Sequence, residues 1–490
     1  MQIPELNQEI PAIQKKVVNG VFILGLKRIL TQLILTSSNI ILSRVLFPAD
    51  FGKFAVISFV LAIFTLTSDI GLTAALVQRR KKPSEDELKT IFTLQIILAV
   101  TSVVLIWLST PFLLIFYKSG FDSTSAVMLK VAAFSILFFN LKLIPAVLLE
   151  REMRFARSVI AEVFELLIMQ LTTVIFALKG FGFESFVFGL LVSRLAAVPI
   201  YYILHPFKIG FRLSLNELKT YLPFGMHVQF NSIIGTIGGM SVPVVVGGML
   251  GVSQLGLVNW AGGVAVLPRA VGDVVGRIIF PMCARFQTDR RFLKKIIERA
   301  LQLNNLASFP VIIMIIALAQ PVTLIIFTDK WIGGISVLYL LTLQSAFMVP
   351  EVIFTTALLA LGYSKTVRNI NLMFTALIWF LSIPLVKILG LNGFALASLF
   401  ASLIFLVSLR ELRKHVKIAV VRYTLPYMFY AVSAGILVYV YSLVFPIRSL
   451  LELILSVVFG GLSYGFLLLL FERKELIKDM VQAYQILQKK

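Results

Sequence analysis

The chain has 490 residues, 59% of them hydrophobic and only 14% charged, with a mean hydropathy of +0.94. A soluble domain carries roughly 25% charged residues, so a water-soluble enzyme is excluded, and apolar runs of about twenty residues exclude a β-barrel built from strands of about ten. The net charge of +21 is dealt out to alternate loops rather than gathered on one face, which marks it as topogenic and excludes nucleic acid as a partner.

Residues 1–16 are polar and lack the short apolar core and small-residue site of a cleaved signal; they read as a cytoplasmic segment. Fourteen membrane spans are predicted. Six, near 17–43, 51–78, 88–116, 125–149, 157–178 and 183–204, make an N-terminal lobe (17–205). After a cytoplasmic linker (206–219), six more near 220–248, 253–281, 295–327, 336–361, 368–388 and 392–410 make a second lobe (220–410). A last pair near 421–445 and 448–471 precedes a cytoplasmic tail (472–490). The expected fold is therefore an all-α polytopic membrane protein of two pseudo-symmetric six-helix lobes plus a C-terminal helix pair.

Loop charge orients it. Lys15-Lys16, Arg79 to Lys82, Arg151/Arg154/Arg157, Lys208/Arg212/Lys219, Arg285 to Arg299, Lys365/Arg368 and Arg410 to Arg422 fall on one side, about 31 of the 45 cations with the tail included. Positive charge stays inside, so both termini are expected in the cytoplasm.

The stretch Arg44 to Lys82 carries a turn-forming Pro48-Ala49-Asp50-Phe51-Gly52, an apolar run holding one acid, Asp69, and a block of four cations. It returns about 204 residues later: Leu250, Gly256, Asp273 and Pro281 fall opposite Leu46, Gly52, Asp69 and Val77. Thr110-Pro111-Phe112-Leu113 likewise resembles Gln320-Pro321-Val322-Thr323, and Arg157 answers Arg368. Six spans return the chain to its starting side, so the repeats are expected to run parallel about an axis along the membrane normal.

Short loops leave no room for an extramembrane catalytic domain. No GxxxxGK[ST] phosphate loop is present, and no paired-carboxylate or Ser/His/Asp set stands out, so the chain is not expected to be an enzyme. One cysteine, Cys283, and three scattered histidines, His205, His227 and His415, offer neither a disulfide framework nor a metal site. No cofactor is expected.

Charge inside a bilayer costs roughly 2.5–3.5 kcal/mol per residue on insertion scales, so it marks a cavity or a pair. The first span carries Lys27 and Arg28, then Gln32, Thr36, Asn39 and Ser43 at helical spacing. Its counterpart carries His227, Gln229 and Asn231. These read as walls of a wet cavity, the alternative being that Lys27 and Arg28 snorkel to the cytoplasmic edge. On the eighth span Asn259, Arg269, Asp273 and Arg277 recur at helical intervals. One acid between two arginines leaves a positive surplus suited to phosphate oxygens. Asp69 is expected to pair with Lys27 or Arg28, with a proton or sodium site as the alternative. Lys142 and Arg194 read first as structural cations that Glu162 and Glu165 neutralise, and stand as further binding candidates. Glu351, beside Pro350, reads equally as a gating or a packing acid.

The runs SRVLFPADFGKFAVISF and SDIGLTAALVQRR, with LLEREMRFARSVIAE and KGFGFESFVFGLLVS, resemble the polysaccharide-exporter flippases of the multidrug/oligosaccharidyl-lipid/polysaccharide (MOP) superfamily, Wzx-like members of the capsule, exopolysaccharide or teichuronic acid branch. The resemblance is clearest over residues 17–205 and weaker through 410. It implies fourteen helices around a V-shaped cavity that flips undecaprenyl-pyrophosphate-linked oligosaccharide across the cytoplasmic membrane by alternating access. On that reading Lys27, Arg28, Arg269 and Arg277 grip the diphosphate, with Asp69 and Asp273 as partners. A monomer suffices for this mechanism, and membrane lipid is an expected partner, with polymerase or glycosyltransferase proteins as candidates. An ion-coupled drug antiporter of the same superfamily and a membrane glycan polymerase are the rival readings.

Overall fold

The computed structural model describes residues 25–28, 30–79 and 81–472, apart from the side chains of Phe224, His227, Val228, Phe230, Asn231, Ser232, Ile234 and Asp273. Every regular element among the described residues is helical, and eleven helices are long and apolar enough to cross a membrane. This is the expected all-α polytopic membrane architecture. The count of eleven stands against fourteen predicted spans. Of the missing three, the first begins outside the described residues, the span 253–281 is two shorter helices, and the span 220–248 is a helix, Leu215–Ser241, that runs into a π-helical turn. By internal contacts the chain forms two compact units, Met1–Gly256 and Leu257–Lys490.

The first unit begins with α1 (residues 30–45), α2 (Pro48–Asp69) and the short α3 (Leu72–Gln78). The long hairpin α4 (Glu85–Phe116) and α5 (Ser123–Arg151) follows, then α6 (Phe155–Leu178), α7 (Glu184–Leu204) and α8 (Leu215–Ser241). Leu72, Leu76, Ile91, Phe92, Ile144, Val147 and Tyr221 form one buried cluster that joins α3, α4, α5 and α8. The expected turn at Pro48–Gly52 is instead the first turn of α2. Proline at the first helical position lacks only an N–H that has no partner there, and the Asp50 carboxylate accepts from the Phe47 N–H at 2.9 Å. Gly52 then serves packing: a Cβ there would stand 1.7 Å from the Val252 carbonyl oxygen.

The predicted span 51–78 is broken. Ile70 and Gly71 both take left-handed backbone, φ 49° and 70°, and so end α2 and restart the chain as α3. A break frees backbone groups, which at membrane depth need partners. Gln229 of α8 donates to the Leu66 carbonyl at 2.6 Å, and Asp69 accepts from the Thr73 N–H at 3.2 Å. Gly71 lies so close to α8 that a Cβ would sit 2.2 Å from the Gly225 carbonyl oxygen. Beyond α8 a wide π-helical turn, Val242–Gly247, carries the chain to Gly251 at φ 92° and into α9 (Val252–Ala265).

In the second unit the predicted span 253–281 is also two helices, α9 and α10 (Arg269–Arg285), with a break at residues 266–268. Hydroxyls from the two neighbouring helices fill the gap. Ser345 of α12 (Ile335–Ala360) donates to the Ala265 carbonyl at 2.6 Å, and Ser308 of α11 (Arg290–Ala317) to the Pro268 carbonyl at 3.0 Å. Next come α13 (Ser364–Leu389), α14 (Leu391–Ser402) and α15 (Phe405–Arg413). The final pair, α16 (Val420–Val444) and α17 (Leu450–Phe471), packs on α11 through Phe309, Ile312, Tyr427, Tyr430 and Tyr464.

Candidate functional site

The first unit holds two adjoining cavities. One, of about 740 Å³, is lined by Asp69, Thr73, Ser135, Phe139, Arg194 and Gln229, among others. The second, of about 730 Å³, is lined by Lys142, Glu150, Glu162, Glu165, Arg194 and Tyr201. Thr73, Ala74, Phe139, Leu143 and Arg194 belong to both walls. Arg194 thus stands where an apolar chamber meets a charged one.

The charged wall is built by helix periodicity. Glu162 and Glu165 lie three residues apart on α6 and therefore share a face. Lys142 of α5 and Arg194 of α7 both close on Glu165: Lys142 in an ion pair, Arg194 with Nη1 3.2 Å from the other carboxylate oxygen. Lys27, near the described start of the chain, pairs with Glu162, which also accepts from Ser158 at 3.0 Å. Only 6% of the Lys142 side chain and 14% of that of Glu165 are exposed, against 29% for Arg194. Phe139 lies under both cations, its ring centre 4.7 Å from the Arg194 guanidinium and 5.6 Å from the Lys142 ammonium, and Tyr201 stands 5.2 Å from the same ammonium. Aromatic faces favour cations in a partly desolvated place. The arrangement presents one nearly buried ammonium and one partly exposed guanidinium that lines both cavities.

Glu165 pairs with Lys142 and Arg194, the neutralisation first expected of them, while Glu162 takes Lys27. The surplus of cations was expected elsewhere, from Arg269, Asp273 and Arg277, and the Asp273 side chain lies outside the described residues. Lys27, Lys142 and Arg194 face Glu150, Glu162 and Glu165, three against three. A doubly charged group entering here must therefore exchange partners with the carboxylates.

Asp69 does not form the ion pair with Lys27 or Arg28 that the sequence suggested; among the described residues it forms none. Thr73 Oγ1 donates to it at 2.6 Å and Gln95 Nε2 at 2.8 Å, beside the Thr73 N–H. The helix break next door needs a cap for α3, and Asp69 is its last preceding acceptor. Gln32 and Asn39 are exposed on α1, where Gln32 bonds Thr36 at 3.2 Å, and Asn259 is exposed on α9. The side chains of His227, Asn231 and Asp273 lie outside the described residues. Arg28 is half-buried and makes a contact of its own.

In the second unit Arg269 opens α10 directly after the break, half-buried, and near enough to Glu351 to act on its charge; Glu351 also accepts from Ser408 at 3.0 Å. Arg277, two turns on, is exposed. Phe139, Tyr201, Gln95 and Thr73 escaped the sequence reading. Phe139, three residues before Lys142 and so on its face, is the one whose spacing carried a signal.

A family profile described as "Polysaccharide biosynthesis protein" matches residues 41–336. An uncharacterized membrane protein in the cps region of Klebsiella pneumoniae is 27% identical over 316 residues, 63% of this chain and 63% of that one. The succinoglycan biosynthesis transport protein ExoT of Rhizobium meliloti (strain 1021) is 25% identical over 314 residues, 63% of this chain and 62% of that one. The chain thus matches less than two thirds of the length of these relatives. Among solved structures, the lipid II flippase MurJ in an inward closed conformation superposes with a TM-score of 0.72 at 16% identity, covering 94% of this chain and all of that one, a likeness of fold.

Proposed function

From the chain's membership of the polysaccharide biosynthesis protein family we infer that it flips lipid-linked oligosaccharide units across the cytoplasmic membrane, with both termini in the cytoplasm. The observation that carries this reading is the cluster of Lys27, Lys142 and Arg194 held by Glu162 and Glu165 on the cavity wall. A diphosphate offers Arg194 the planar pair of oxygens that a guanidinium fork accepts, and Lys142 a second contact. Glu165 holds both cations in place while the site is empty and yields them when the dianion arrives. Sugars take the polar surfaces of Asp69, Thr73, Gln229 and Ser135 in the adjoining chamber. Arg269 and Glu351, at the break of the second unit, serve the same transport from the other lobe, which works with the first by alternating access. The related ExoT is named a transport protein for succinoglycan biosynthesis, and the similarly folded MurJ a lipid II flippase; both names support a lipid-linked saccharide as cargo.

The test is a leaflet assay on reconstituted vesicles. Protein-dependent exposure of a polyprenyl-diphosphate-linked oligosaccharide to an external glycosidase supports the proposal; vesicles with and without protein behaving alike overturn it.

The even balance of acids and bases favours a second reading, an ion-coupled antiporter for organic cations. Dye efflux driven by a proton or sodium gradient, with no lipid-linked saccharide flipped, would select it.

A further inference from the structure

A third cavity of the first unit, about 660 Å³, lies apart from the charged wall, where three chain segments meet at one end of the helices. They are the loop leading into α4 (Lys82 to Glu85), the end of α5 (Arg151, Glu152) and the residues after α7 (His205 to Lys208). These loops carry the excess of Lys and Arg that assigns them to the cytoplasmic surface.

Chemically the cavity has two levels. Leu88, Leu148 and Phe207 supply an apolar floor, and Lys82, Arg151 and Lys208 a basic rim. The two rim acids are engaged. Glu152 is bonded by His205 Nε2 at 3.1 Å and by Arg154 Nε at 2.8 Å. The hydrogen bond from His205 holds its carboxyl below the usual range. Glu85 is shared at 3.9 Å between Lys89 and Lys208, a loose contact that an incoming anion can replace. The Lys208 side chain is 84% exposed. His205 Nδ1, in a residue lining the cavity, is buried with no hydrogen-bond partner among the described residues. With the Nε2 proton given to Glu152, the Nδ1 lone pair is left to accept, so it calls for a guest that donates a hydroxyl.

We propose that this cavity is a binding site for an anionic phospholipid of the inner leaflet, its phosphodiester held by Lys82 and Lys208 and the start of its acyl chains against Leu88, Leu148 and Phe207, while Arg151, whose guanidinium donates to the Leu76 and Lys81 carbonyls, adds positive charge to the rim. Basic pockets between helices at the cytoplasmic surface suit such headgroups, and an apolar floor under a cationic rim matches a molecule whose phosphate is joined to its acyl chains through a short glycerol. Polyprenyl diphosphate shares this chemistry, so the experiment separates the two sources. The site is independent of whether the chain flips saccharides.

The full-length protein is purified, exchanged into vesicles of phosphatidylcholine with a minor fraction of phosphatidylglycerol, and the retained lipid is measured by native mass spectrometry. The wild type keeps phosphatidylglycerol in preference to phosphatidylcholine. The double variant Lys82→Gln/Lys208→Gln, which changes two exposed side chains, binds it about 30-fold more weakly, since each surface lysine contributes about 1 kcal/mol toward an anionic lipid. Equal retention by wild type and variant, or no preference in the wild type, overturns the proposal. Displacement of the bound phosphatidylglycerol by undecaprenyl diphosphate, with the loss in affinity for that compound in the same double variant, assigns the cavity to the transported lipid and overturns it too.

Discussion

Gly52 and Gly256, opposite one another in the sequence repeat, meet in the folded chain. A Cβ on Gly52 would lie 1.7 Å from the Val252 carbonyl oxygen, and one on Gly256 1.8 Å from that of Pro48. Small residues let two helix backbones approach where lipid offers no hydrophobic drive to association.

This contact makes the first prediction. Gly52→Ala and Gly256→Ala each force the α2–α9 crossing apart and destabilise the protein by about 1–3 kcal/mol or more. Gly235→Ala in α8, where among the described residues no atom outside the local helix backbone lies within 4 Å of the added Cβ, is neutral or stabilising by about 1 kcal/mol. Thermal unfolding in detergent reads the difference. Equal midpoints for all three variants would show that the crossing tolerates a methyl group.

How much of this was legible beforehand depends on the kind of signal. Helix content and the run of long spans follow from apolar length, and α4 to α7 fall within a few residues of their predicted limits. The breaks at Ile70–Gly71 and at 266–268 were not legible. Each rests on partners distant in sequence, Gln229 for the first and Ser308 and Ser345 for the second, and Gly71 and Pro268, which stand at the breaks, do not by themselves distinguish a break from a kink. The same applies to Asp69: as a lone acid it suggested an ion pair, whereas the break turned it into a cap. Glu162 and Glu165 were visible as acids on one helix face. That Lys142 and Arg194 share Glu165, while Lys27 takes Glu162, depends on how α5, α6 and α7 pack.

The shared carboxylate gives the second prediction. Glu165→Gln leaves the nearly buried Lys142 without its counter-charge and costs about 3–5 kcal/mol. Replacing the buried pair, Lys142→Met with Glu165→Leu, removes its charge and desolvation together but leaves the more exposed Arg194 without its carboxylate, so part of that stability returns while transport is lost. Unfolding curves and vesicle transport on the same samples separate the two effects. A double variant that transports normally would reduce the pair to packing.

Asp69 gives a third. Asp69→Asn keeps an acceptor for Thr73 and so costs less than about 1 kcal/mol, whereas Asp69→Leu loses the cap and costs about 0.5–2 kcal/mol, measured by thermal unfolding. Transport by the Asn variant at close to the wild-type rate would agree with a capping role. Its abolition in a folded Asn variant would return Asp69 to the list of charge-dependent residues.

The fourth concerns pH. Partial burial works to raise the Asp122 carboxyl, but hydrogen bonds from Lys53 at 2.8 Å and from Ser125 outweigh it and hold the group down at about 2. A carboxyl lowered on folding contributes stability above its unfolded pKa of 3.8 and loses it as pH falls through the folded value. About half of the Asp122 side chain is exposed, so the contribution is small, at most about 1 kcal/mol. The gap in unfolding midpoint between wild type and Asp122→Asn should stay level from neutral pH to about 4 and close toward 2. A gap that varies between neutral pH and 5 would point to another group.

The central claim is that Lys27, Lys142 of α5 and Arg194 of α7 receive the diphosphate of a lipid-linked saccharide. The most direct measurement is the flipping rate per reconstituted molecule for wild type and Arg194→Ala, with insertion and unfolding midpoint checked in parallel. Loss of one charge-assisted contact predicts a rate lower by roughly 10- to 100-fold in a normally folded protein. Flipping by Arg194→Ala at the wild-type rate would contradict the account.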